Sequence, residues 1–185
     1  MHAISSVVAD VEGAIASGDP HKRMGMLRQM TDLFAVEAPR LNEAQIDAFD
    51  AVILRLSRDI ETRARAELSA SLADVANAPR RVVRNLAYDP SADVAGPVLE
   101  RSTRLEESDL VHIASGAGQQ HLMALSRRST LAERVTDVIV SRGNDQVVRS
   151  VAGNQGAREA RGRWYVLLNP DARAESKDIR RIGDP

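Results

Sequence analysis

Two stretches decide the fold: Val82-Val83-Arg84-Asn85-Leu86-Ala87-Tyr88-Asp89-Pro90-Ser91-Ala92 and Val147-Val148-Arg149-Ser150-Val151-Ala152-Gly153-Asn154-Gln155-Gly156-Ala157. They agree at Val, Val, Arg and two Ala positions, with a conservative Leu86/Val151 pair besides. In each, apolar residues recur at three- and four-residue intervals, the period of a helix buried along one side and not the alternation of a strand. Asp89-Pro90 and Asn154-Gln155-Gly156 then end the helix with residues suited to turns. Helices this short are unstable alone and must bury their apolar faces on neighbours. Internal similarity of this kind marks a stack of helix pairs.

Working outward, His121 to Arg128 fills the same slot between the two stretches, and Val94, Val98 and Leu99 correspond to Val135, Val138 and Ile139. Repeat starts near 82, 121 and 147 give uneven intervals of 39 and 26 residues. The helical pieces read as 79–88, 91–101, 106–115, 118–128, 130–142 and 144–153. Towards the N-terminus, 1–18 forms an amphipathic helix through Ile4, Val7, Val8, Val11 and Ile15, and 21–36 a second through Met24, Leu27, Met30 or Thr31, and Phe34. Asn42 with Gln45 makes a capping-box pattern opening a helix through Ile46, Phe49, Ile53, Leu56 and Ile60. The pattern continues through Leu68, Leu72 and Val75, with a break expected near 62–66. The organisation is therefore N-terminal helices over 1–78, a helical-repeat array over 79–157 and an irregular tail over 158–185.

Composition narrows the function classes. A 185-residue chain is long enough for one domain with a sufficient core. The absence of cysteine excludes disulfide frameworks, thiolate zinc sites and cysteine nucleophiles, and fits a reducing compartment. Met1 to Ser6 shows no basic region before an apolar stretch, and no run approaches a membrane span, so the expected location is the cytoplasm, away from membranes. Lys+Arg 25 against Asp+Glu 26 argues against a dedicated nucleic-acid or membrane-surface protein. With 3% aromatics the core must be Leu, Val, Ile and Ala, and platforms for base stacking are few.

At several of these residues the chain resembles a bacterial family, domain of unknown function 2336. The resemblance is carried by Ala78-Pro79-Arg80 leading into Leu86-Ala87-Tyr88-Asp89, then by Val94-Ala95-Gly96-Pro97-Val98-Leu99-Glu100-Arg101-Ser102. Leu105, Asp109-Leu110, the slot from Gln120 to Arg128, Val140-Ser141-Arg142-Gly143-Asn144 and Val151 to Ala157 extend it, so that it spans roughly 24–157. It implies an all-α fold: an N-terminal helical layer followed by a right-handed stack of HEAT-like or leucine-rich-variant-like hairpins, an α-solenoid. It supplies no catalytic residues. From Arg158 through Trp164-Tyr165-Val166-Leu167-Leu168 to Pro170 the chain departs from the family pattern, which suggests a truncated or altered end that leaves the last repeat uncapped.

No chemistry-bearing motif stands out. The histidines are His2, His21, His112 and His121; the last two fall in neighbouring helices but lack a carboxylate at ligand spacing from both, so no metal or other cofactor is expected. P-loop, H-E-x-x-H, G-x-G-x-x-G and G-x-S-x-G patterns are absent, and no enzymatic activity is expected. Glu106, Glu107 and Asp109 sit where a helix begins and favour its dipole. Arg80, Arg81, Arg84, Arg127, Arg128, Arg134, Arg142 and Arg149 fall in helices read as equivalent and would line one face. Residues 80–163 hold 13 Lys+Arg and 10 Asp+Glu, a surplus too small to make that face strongly basic. The expected function is a protein-interaction scaffold, with Arg84, Arg127, Arg128 and Arg149 as candidate contacts to an unidentified protein partner. Nucleic-acid binding through the same stripe is the alternative, and the N-terminal helices are candidates for self-association.

Overall fold

The computed structural model describes residues 10–16, 18–58 and 60–154. Among them the chain is all-α, without a strand. Residues 10–16 are helical (α1), followed by α2 (Pro20–Glu37), a 3-10 turn (Ala38–Arg40), α3 (Glu43–Leu56), α4 (Thr62–Ala73), α5 (Arg80–Ala87), α6 (Ala92–Arg101), α7 (Glu107–Gly116), α8 (Gln119–Ser126), α9 (Glu133–Arg142) and α10 (Asp145–Gly153). No described helix is long and apolar enough to cross a membrane. The expected tail over 158–185 lies outside the described residues, as does the first half, residues 1–9, of the expected helix 1–18.

Local chemistry explains the boundaries. The Asp19 side chain accepts from His21 N at 2.9 Å, and Pro20 at the first helical position opens α2. The capping box of α3 forms as expected: Gln45 N donates to Asn42 Oδ1 and Asn42 N to Gln45 Oε1, both at 3.0 Å. Asn144 caps α10 through Gln146 N and Val147 N at 3.1 Å. The break expected near 62–66 lies earlier, between Leu56 and Thr62. Ser57 turns its hydroxyl back to Leu54 O, and Arg65, inside α4, holds the preceding turn by donating to Ile60 O at 2.7 Å. Ala64 and Leu68 are buried together, a spacing that requires helix through the expected break.

One core runs from Val11 to Val151 without interruption. Beyond the N-terminal layer, where α2 packs on α3 and α4, helices pack on their next-but-one neighbours. The even-numbered helices make a continuous row, α4 on α6, α6 on α8 and α8 on α10. The odd-numbered helices give two separate contacts, α3 on α5 and α7 on α9. Small residues permit the close approach: Ala73, Ala78, Ala87, Ala95 and Ala114 are all buried. Leu72, Leu99, Leu122, Leu125 and Ile139 fill the layer, each contributing about 2 kcal/mol by burial. At the α9–α10 turn Gly143 is required, because a Cβ there would lie 2.6 Å from Val147 Cγ1 and 2.7 Å from Ile139 O.

This packing corrects the internal alignment made from sequence. α5, which carries Val82, packs on α3, α4 and α6; α10, which carries Val147, packs on α8 and α9 and continues the other row. The two helices share an apolar pattern but not a position. Their resemblance reflects only the requirement common to short amphipathic helices, two or three apolar residues along one side.

Candidate interaction site

The odd row is linked across its gap by side chains. On α5 and its C-cap, Arg80, Arg84 and Tyr88 recur every four residues; from the N-cap of α7 onward, Glu106, Asp109 and His112 recur every three, so each set shares one helical face. Arg80 lies 3.8 Å from Glu106, and Arg84 Nε lies 2.8 Å from Asp109 Oδ1. The Tyr88 hydroxyl donates to the same Asp109 oxygen at 3.2 Å, and the Tyr88 and His112 rings lie 5.7 Å apart. The Arg84 guanidinium sits 5.7 Å from the Tyr88 ring centre. The Tyr88 hydroxyl, then the Asp109 carboxylate, raise the Arg84 pKa above its ordinary value. Asp109 does occupy the first turn of α7, as expected, yet it is also buried and holds the seam.

Behind the seam lies a cleft of about 280 Å³, walled by Ala87, Tyr88, Pro90, His112, Ile113 and His121, among others. His121 Nε2 donates to the Asp89 carbonyl at 3.0 Å, which fixes the proton on that nitrogen in the neutral ring. Asp89 is in turn engaged by Arg65 Nε at 2.8 Å and by Ser91 N at 2.9 Å. His112 and His121 thus share a cleft, but no group of three histidines or carboxylates fit to hold a metal occurs among the described residues.

The four arginines singled out in the sequence are not brought together. Arg84 belongs to the odd row, whereas Arg127 and Arg128 follow α8 and Arg149 lies on α10, in the even row. Arg127 is exposed, 3.9 Å from Glu100. Arg128, expected on the surface, is 7% exposed. Its guanidinium donates to Leu99 O at 2.6 Å and Ser102 O at 2.8 Å, closing the end of α6, and burial lowers its pKa. Arg149 is exposed and, like Arg134, has no hydrogen bond or ion pair among the described residues. The remainder of the expected stripe is engaged internally: Arg81 with Asp50 at 3.2 Å, and Arg142 with the carbonyls of Ala114 and Ala117.

Arg128 belongs to a series that sequence reading missed. Asn77 donates to Ala38 O, Arg104 to Ala78 O at 2.8 Å, Arg128 to Leu99 O and Ser102 O, and Asn154 to Ser126 O and Arg128 O at 2.7 and 2.6 Å. These donors stand 24 to 27 residues apart, each following an even-numbered helix and capping carbonyls that follow or end the preceding helix of the row or, for Asn77, α2. Helix ends leave carbonyls without partners, and each donor satisfies those of its neighbour. The signal was present only as an interval, because two asparagine amides flank two arginine guanidiniums in the series and no single residue type repeats through it.

The stretch from α6 through α10 is also where the chain meets a known family, described as an uncharacterised protein conserved in bacteria. Residues 94–175 match the DUF2336 family. The match starts well after residue 24, where the resemblance was placed, and continues to 175 through the segment that had been set apart as a departure. The donors Arg104, Arg128 and Asn154 all fall within the DUF2336 match, while Asn77, Arg84 and Tyr88 precede it. No curated protein and no solved structure matches the chain.

Proposed function

We propose that the chain is a non-enzymatic helical-repeat module, an α-solenoid that presents its odd-numbered row to a protein partner. The observation that carries this reading is the series of end-caps at Asn77, Arg104, Arg128 and Asn154. A device renewed every 24 to 27 residues supports a chain built by adding like units, and stacked units give an extended surface of the kind used to hold other proteins. On that surface Tyr88 is 39% exposed at the mouth of the cleft, flanked by Arg84 and His112. Tyr and Arg are the residue types that anchor protein interfaces. Leu33 and Val36, 41% and 72% exposed on α2, support self-association through the N-terminal helices. The nucleic-acid alternative has no comparable support, because six of the eight stripe arginines are engaged with carboxylates or carbonyls.

The test uses the tagged chain and its Tyr88→Ser variant as baits in native lysate, with and without nuclease. The proposal predicts a nuclease-resistant protein partner that the variant loses at unchanged melting temperature. A partner retained equally by both baits would contradict the assigned face, and recovery abolished by nuclease would contradict the protein partner.

A further inference from the structure

We infer that the molecule is jointed at the α5–α7 seam, with the even-numbered row as the continuous leaf on which the two sides turn. Three observations converge on this place. First, α3 packs on α5 and α7 on α9, but α5 and α7 are not a packed pair. Second, what spans the gap is polar and wet on its outer side: the Arg80–Glu106 pair is 61% and 70% exposed, and Arg84 is 64% exposed where it reaches in to Asp109, whose side chain is 10% exposed. Interdigitated apolar side chains resist displacement because any shift forfeits their contacts, whereas exposed ion pairs exchange readily with water. Third, the leaf is softened beside the gap, since α6 carries Pro97 in its interior and Pro97 has no N–H to donate to the Asp93 carbonyl.

The cleft lies behind this seam, so motion of α5 against α7 changes its width. Tyr88 and His112 stand on opposite sides of the opening, and Asp109 is the common anchor of Arg84 and Tyr88. A partner that engages Tyr88 would therefore also set the angle between the two sides. Closure of rigid sides about a ligand is a familiar use of such a joint.

The chain has no cysteine, so introduced pairs can be spin-labelled without background. Asn85→Cys with Ser108→Cys spans the seam, and Ser108→Cys with Arg134→Cys spans the packed α7–α9 contact; all three positions are exposed. Pulsed dipolar spectroscopy on the 185-residue chain should give a distance distribution roughly twice as wide for the first pair as for the second. Arg84→Gln should widen the first distribution and leave the second unchanged. Equal widths for the two pairs in the otherwise native chain would overturn the joint, whether or not the Arg84 variant folds.

Discussion

The two rows of helices are made from the same residue types and end differently. Along the even row, Leu72, Val98, Leu99, Leu122 and Leu125 are fully buried, and carbonyls following or ending α4, α6 and α8 are met by Arg104, Arg128 and Asn154. Along the odd row the contact between α5 and α7 falls to Arg80, Arg84 and Tyr88 facing Glu106, Asp109 and His112. The lesson is that helical period decides only that a helix has a buried side. Where the odd row is interrupted, the facing positions of α5 and α7 carry Arg80, Arg84 and Tyr88 at four-residue spacing in place of apolar side chains.

The comparison can be broken most severely in the even row. Arg128→Ala removes a buried guanidinium and leaves Leu99 O and Ser102 O without partners, a loss of about 3 kcal/mol by denaturant unfolding. Arg149→Ala, at an exposed site without a partner among the described residues, should stay within about 0.5 kcal/mol. Gly143→Ala forces a Cβ against Val147 and Ile139 O where α9 turns into α10, and should cost about 2 kcal/mol.

The odd row responds where it is packed. Asp50, 2% exposed on α3, accepts from Arg81 N at 3.0 Å and Val82 N at 2.9 Å, capping α5 from outside. Asp50→Ala should cost about 1–2 kcal/mol in thermal unfolding, as expected for a lost cap.

The smallest effect is one of pH. Glu67 is held below its ordinary 4.5 by the hydrogen bond from Arg28, with burial opposing and the charges of Arg28 and Arg63 assisting. A carboxyl whose folded pKa is depressed stabilises the fold above its unfolded pKa and loses that contribution as pH falls through the folded value. Glu67→Gln should therefore melt slightly below the parent chain at neutral pH, and the difference should vanish once the carboxyl is protonated in both states.

Much of the helical architecture was legible in the sequence, because periodicity and capping are local. Pieces expected at 91–101, 106–115 and 144–153 are Ala92–Arg101, Glu107–Gly116 and Asp145–Gly153, and the Asn42–Gln45 box forms. Which helices stack was not legible, because Val82 and Val147 present the same pattern to different neighbours. The same limit separates Arg127 from Arg128. They are adjacent in the chain, yet a turn of the backbone after α8 sends one into solvent and the other against the end of α6. The seam was half visible: the i, i+4 spacing of Arg80, Arg84 and Tyr88 was readable, but its match to Glu106, Asp109 and His112 required the fold.

Native-state hydrogen exchange tests the division between the rows most directly. Amides of Leu99 in α6 and Leu125 in α8 should exchange only through global unfolding, while those of Leu86 in α5 and Leu110 in α7 should exchange through smaller openings that Arg84→Gln makes more frequent. Equal protection of all four amides, insensitive to Arg84, would contradict the account.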